Sequence, residues 1–206
     1  MQRYNSQILV SGFIILASLI FTGCKSWEYD VDKNGIHFKK IFQPESGTVI
    51  GYMTEDHEID GFPCEKGWIH FREDSQLRLF QLSKDFMYKG TLLPAHTWFL
   101  FPYNDVTGHI CAFPYDYMVQ GYLCKGSGGP KGVSTAFYDS GKLRSFYPTE
   151  EVMIDGVPCK TTLLVNINLH ENGNLKSCKL AEDYQIKNNT IRKGMLIEFD
   201  DNGKLK

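Results

Sequence analysis

Apolar and polar residues alternate along this chain with the two-residue period of strands, and turns cut the alternation at regular intervals. In Val165-Asn166-Ile167-Asn168-Leu169 the apolar residues fall on one face and the asparagines on the other. The turn Glu171-Asn172-Gly173 follows, and Leu175-Lys176-Ser177-Cys178-Lys179-Leu180 leaves it as a second strand. The tetrad Ser75-Gln76-Leu77-Arg78 recurs as Gly108-His109-Ile110-Cys111, Gly141-Lys142-Leu143-Arg144, Gly173-Asn174-Leu175-Lys176 and Gly203-Lys204-Leu205-Lys206. Its apolar member returns about every 33 residues, the scale of stacked structural units. Phe80, Phe113, Phe146 and Cys178 each lie three residues beyond that position. They read as core, together with Phe71, Phe137 and Phe199.

A second anchor lies between the turns. Ile59-Asp60-Gly61-Phe62-Pro63-Cys64 returns as Val119-Gln120-Gly121-Tyr122-Leu123-Cys124 and Ile154-Asp155-Gly156-Val157-Pro158-Cys159, and more loosely as Tyr88-Lys89-Gly90-Thr91-Leu92-Leu93. Polar patches such as Ser83-Lys84-Asp85 and Ala181-Glu182-Asp183 turn the chain into a third short strand, which runs into the anchor glycine. That glycine is expected at a bulge or crowded crossing, where a Cβ would clash. The Asn-Gly pairs at Asn172-Gly173 and Asn202-Gly203 favour positive φ and tight hairpins. The pattern predicts an all-β domain over residues 34–206, with about five units of antiparallel hairpin repeats. These form an elongated twisted sheet or a solenoid, or alternatively a sheet curled like a barrel. Asn188 replaces the anchor glycine in the last unit, as expected of a terminal cap.

Residues 1–23 read as an export signal: Arg3 is basic, no acid precedes Glu28, and the apolar stretch Ile8 to Phe21 is short for a bilayer span. Leu19-Ile20-Phe21-Thr22-Gly23-Cys24 resembles the lipobox of bacterial lipoproteins, with Phe21 in place of the usual Leu. The resemblance implies diacylglycerol on the Cys24 thiol, acylation and cleavage before it, and a firm membrane anchor. Lys25, rather than Asp, after the cysteine implies an outer-membrane location facing either the periplasm or the exterior. Residues 24–33 read as a polar tether.

Charge narrows the partners. Removal of residues 1–23 leaves 21 basic residues against 24 acids, a net charge near −3, with no basic stripe. Nucleic acid is therefore not an expected partner. Five further cysteines, Cys64, Cys111, Cys124, Cys159 and Cys178, cannot all pair. Three readings stand for them: filling of the core, a bridge between neighbouring units such as Cys124 to Cys159, and metal binding, for which no ligand spacing exists. Lys125-Gly126-Ser127-Gly128-Gly129-Pro130-Lys131-Gly132 is rich in glycine, but a strand follows it where a phosphate loop needs a helix. It reads as a flexible inter-repeat loop. The six histidines are scattered, and His109, in the turn slot held by Lys142 or Asn174 elsewhere, reads as solvent-exposed. No nucleophile elbow is present. The expectation is a protein without catalytic residues, cofactor or metal.

Phe137-Tyr138-Asp139-Ser140-Gly141-Lys142-Leu143, Leu169-His170-Glu171-Asn172-Gly173-Asn174-Leu175 and Phe199-Asp200-Asp201-Asn202-Gly203-Lys204-Leu205 resemble MORN-type repeats. The variant they look most like is that of the YwqK family of antitoxin-like proteins. The resemblance covers Gly132 to Lys206, and implies side-by-side hairpins that bind proteins or membranes without catalysis. The units here are longer and carry the additional anchor strand. Tyr103, Tyr115, Tyr117, Tyr122, Tyr138 and Tyr147 cluster in the middle units, and tyrosines on an open sheet face are anchors for a protein or glycan. The leading expectation is an outer-membrane-anchored lipoprotein with a non-catalytic protein-interaction surface. The alternatives are an immunity or antitoxin-like protein that binds a toxin, a carbohydrate binder, and a degenerate envelope enzyme.

Overall fold

The computed structural model describes residues 26–45, 47–102, 107–129, 132–162, 164–187 and 189–206. The signal segment with Cys24, together with Tyr103 and Asn188, lies outside the described residues. The described chain contains strands and no helix. Twelve strands form one antiparallel sheet in chain order: Glu28–Lys33, Ile36–Phe42, Val49–Met53, Gly67–Phe71, Leu77–Gln81, Trp98–Leu100, His109–Ala112, Thr135–Phe137, Leu143–Phe146, Ile167–Leu169, Leu175–Lys179 and Leu196–Glu198. The first and last do not pair, so the sheet is open rather than closed into a barrel. At about 4.8 Å per strand it spans roughly 50 Å. The first strand begins at Glu28, inside the stretch expected as a tether, because Val31 and its neighbours pair with Ile36–Phe42.

Five small hairpins interrupt the sheet at every second connection: His57–Ile59 with Phe62–Cys64, Phe86–Tyr88 with Thr91–Leu93, Tyr117–Val119 with Tyr122–Cys124, Val152–Ile154 with Val157–Cys159, and Tyr184–Ile186 with Asn189–Ile191. All five lie on one face of the sheet. Phe62 of the first packs on Phe80 and Phe99, Tyr88 of the second on Phe99, and Tyr122 of the third on Phe146. The core is this interlayer, with Phe80, Phe99, Phe113, Phe137 and Phe146 fully buried.

The expected three-stranded unit therefore has four strands, because the anchor glycine is itself a turn. Asp60-Gly61, Lys89-Gly90, Gln120-Gly121 and Asp155-Gly156 all have positive φ at both residues, the two-residue turn that matches hairpin twist. A Cβ on any of these four glycines would meet nothing within 4 Å, so conformation rather than crowding selects glycine. The Asn-Gly turns differ from expectation in the opposite sense. Gly173 and Gly203 have positive φ but Asn172 and Asn202 do not. Gly173 N–H donates to His170 O and His170 N–H to Asn174 O, a four-residue turn followed by a bulge. Segments 72–76, 138–142 and 200–204 repeat both bonds.

A second bulge explains why the core positions lie three residues apart in a structure of period two. Phe71 pairs with Leu77 but His70 with Leu79, Phe137 with Leu143 but Ala136 with Ser145, and Leu169 with Leu175 but Asn168 with Ser177. Arg78, Arg144 and Lys176 are thus extra residues, and the slip returns Phe80, Phe146 and Cys178 to the inner face.

Candidate functional site

Each strand of a small hairpin has three residues, so the first and third face the sheet and the second faces away. The outward residues form cross-strand pairs: Met87 with Leu92, Met118 with Leu123, and Met153 with Pro158. The methionines are 60%, 57% and 63% exposed, and Leu92 and Leu123 are also exposed. The same slots hold Glu58 with Pro63 in the first hairpin and Gln185 with Thr190 in the fifth. A ridge of three apolar pairs therefore runs along the hairpin layer, and the methionine slot holds Glu58 and Gln185 in the hairpins on either side. Three of the six methionines of the chain occupy one repeat slot. Solvent-facing methionine is flexible and polarizable, a side chain suited to an adaptable contact surface. The signal was present in the sequence as Phe86-Met87-Tyr88, Tyr117-Met118-Val119 and Val152-Met153-Ile154, two residues before each positive-φ pair begins. Reading the anchor glycine as a crossing concealed which face those methionines take.

The opposite face of the sheet carries no hairpin. A row across it runs Phe42, Ile50, His70, Leu79, Leu100 and Ile110 in the amino-terminal half. It continues as Ala136, Ser145, Asn168, Ser177 and Glu198 in the carboxy-terminal half, so the face grades from apolar to polar. Near its amino-terminal edge Trp27 lies 6.0 Å from Trp68, and Tyr52 stands edge-on to Trp68 at 5.2 Å. The Lys40 ammonium sits 5.0 Å from the Trp27 ring and 4.7 Å from that of Trp68.

The tyrosines expected to form the surface do not share one. Tyr117 and Tyr122 turn half-buried rings toward Phe113 and Phe146, at 5.2 and 5.0 Å. Tyr138 donates its hydroxyl hydrogen bond to Leu169 O at 2.9 Å, and Tyr147 is half-buried. Tyr115 alone of the five described is well exposed, beside Tyr117. Tyrosines at positions one and three of a hairpin strand belong to the inner face, which composition alone does not reveal.

His109 departs furthest from expectation. It is 2% exposed, its ring stacked between Phe99 at 5.0 Å and Phe137 at 4.6 Å, both within 4° of parallel. Phe80 extends the stack beyond Phe99, and Tyr88 stands edge-on to the imidazole. Nδ1 has no hydrogen-bond partner among the described residues. Burial, with the Lys89 charge second, pulls its pKa down to about 4 against a lesser opposing effect of Asp139. The ring is held neutral as a core aromatic. His109 is the first residue of its strand, whereas Lys142 and Asn174 precede theirs.

All five described cysteines are buried. Cys64, Cys124 and Cys159 end equivalent hairpin strands and fill the core beside the sheet. The sulfur nearest Cys159 is that of Cys178, not of Cys124. The glycine-rich loop is pinned at its described residues: Ser127 and Gly128 N–H donate to Phe113 O, and Gly126 N–H to Asp116. No group of three or more His, Cys, Asp or Glu side chains able to hold a metal occurs among the described residues. A cleft of about 630 Å³ opens at the turn end of the sheet between Asp60, Arg72 and Asp139, with Phe62 and Leu77 behind them. One wall of it passes through Pro102 and Thr107, next to residues outside the described set. Comparison of the chain with protein-family models, with curated proteins and with solved structures finds no match.

Proposed function

We propose that this chain is a lipid-anchored envelope protein whose hairpin layer is a non-catalytic docking surface for another protein. The methionine ridge supports the reading most strongly: three successive units present an exposed methionine in the same slot, and the flanking units replace it with Glu58 and Gln185. The partner element is an amphipathic helix lying along the ridge. Successive hairpins sit two sheet strands apart, about 10 Å, and a helix advances about 10.5 Å over seven residues. One apolar side chain per heptad then meets each methionine–leucine or methionine–proline pair, a helix-on-groove mode that flexible methionine accommodates. The lipobox-like sequence at Cys24 supplies the anchor, with the outer membrane as its location. The MORN-like turns accord with a binding role, and an antitoxin-like partner is one form of it. A glycan reading would rest on Trp27 and Trp68, but Lys40 already occupies both rings.

Native electrophoresis of cell fractions solubilised in mild detergent tests both parts. Wild type is expected in the membrane fraction at a mass above the monomer, Cys24→Ser in the soluble fraction, and M87K/M118K/M153K in the membrane fraction as monomer. The three lysines replace exposed side chains and leave the fold intact. Wild type and the triple variant migrating together would defeat the ridge; Cys24→Ser remaining in the membrane would defeat the anchor.

A further inference from the structure

The fourth unit breaks the repeat at two places at once. In the first and third units the hairpin cysteine, Cys64 or Cys124, ends a strand beside a sheet strand whose inner slot is Phe80 or Phe146. In the fourth, Cys159 bridges to Leu180 in the same way, but the inner slot two residues earlier is Cys178. The two sulfurs are 2.6 Å apart, closer than non-bonded sulfur atoms sit, and both residues are wholly buried. A phenylalanine fills the interlayer at that slot in the other units. Here two thiols meet across it, joining the hairpin layer to the sheet.

We propose that Cys159 and Cys178 form a disulfide that ties the fourth hairpin to the sheet, leaving Cys64, Cys111 and Cys124 as reduced core residues. The chemistry is thiol–disulfide exchange with an oxidised dithiol protein or glutathione disulfide. One thiolate attacks the donor R–S–S–R and releases RS⁻. The second attacks the resulting mixed disulfide and releases the other RS⁻, and the two protons of Cys159 and Cys178 end on the two RSH products. The hydrogen bond with Cys178, and burial after it, push the thiol pKa of Cys159 up, so the exchange belongs to the folding chain, and the finished bond is shielded from reductant. The enclosed loop is short, which permits closure as soon as the turn at 170–174 has formed. Formation in the cell rests on the export reading, because disulfides persist in oxidising compartments.

The test uses the mature chain, both isolated from cells and refolded in a glutathione redox buffer. Each sample is denatured without reductant, alkylated and mapped by mass. The expected result is a Cys159–Cys178 linked peptide 2 Da below the sum of its parts, with Cys64, Cys111 and Cys124 alkylated. Reduction is expected to lower the Tm of the wild type by roughly 5–10 °C and to leave C159A/C178A unchanged. A link found in refolded protein but missing from cellular protein upholds the pairing and counts against export. Five alkylated cysteines in the refolded chain, or a Cys124–Cys159 link, would overturn the proposal.

Discussion

At the scale of single residues, His109 shows how a polar residue becomes part of an aromatic core. Its imidazole continues the stack from Phe80 and Phe99 to Phe137, and the energetic consequence follows from linkage. The native pKa, about 4, lies below the ordinary value of 6.5. Between those values the unfolded chain binds a proton that the native protein does not, so stability falls as pH drops from 6.5 towards 4. The full loss attributable to His109 is about 3 kcal/mol. Burial is the main cause of the loss; Lys89 and Arg144 add to it, and the carboxylate of Asp139 offsets part of it. His109→Phe keeps the ring stack and removes the proton. Urea unfolding at pH 7 and pH 4.5 is expected to show a smaller difference for the variant than for wild type, by most of that amount. Equal differences for the two proteins would show that His109 is not the titrating group. His70, which burial also depresses, remains in both and cancels.

At the scale of elements, the small hairpins are latched to the sheet by the first residue of their turns. Gln120 Nε2 donates to Gly141 O at 2.8 Å while its Oε1 accepts from Leu143 N–H at 3.0 Å. Asp155 accepts from Leu175 N–H at 2.6 Å, and the Lys89 ammonium donates to Asp139 O. The approach is close: a Cβ on Gly141 would lie 2.6 Å from that of Lys89. At the base of four hairpins an aspartate, Asp56, Asp85, Asp116 or Asp183, accepts a backbone N–H from ten residues on. Gln120→Ala leaves Gly141 O and Leu143 N–H without this partner and is expected to cost about 1–3 kcal/mol in urea unfolding. A change under about 0.5 kcal/mol would mean the latch is idle. The strands, the turns and the repeat were legible in the sequence because period-two alternation and Gly spacing are local signals. The bulges at Arg78, Arg144 and Lys176 were visible only as an unexplained spacing of three. The face of each hairpin depended on recognising Asp-Gly, Lys-Gly and Gln-Gly as turns; without that, Tyr117 and Met118 exchange sides.

At the scale of the molecule, an open twelve-stranded sheet must protect two edges. Glu28–Lys33 carries alternating acids and a positive-φ kink at Asp30, and Leu196–Glu198 is only three residues long. Both devices discourage strand addition at the edges. One face grades from aromatic to polar; the other bears the methionine ridge, the most exposed apolar feature that repeats. The repeated methionine slot was visible in the sequence, whereas its outward face and the flanking Glu58 and Gln185 required the fold. The most direct measurement is photo-crosslinking in living cells, with p-benzoylphenylalanine placed in turn at Met87, Met118, Met153 and, as an off-ridge control, Gln185. A discrete protein adduct from the three ridge positions, weak or missing at Gln185 and lost from the Met118 position when Met87 and Met153 are both lysine, is the expected result. Adducts of equal strength from all four positions, or none from the ridge, would contradict docking there.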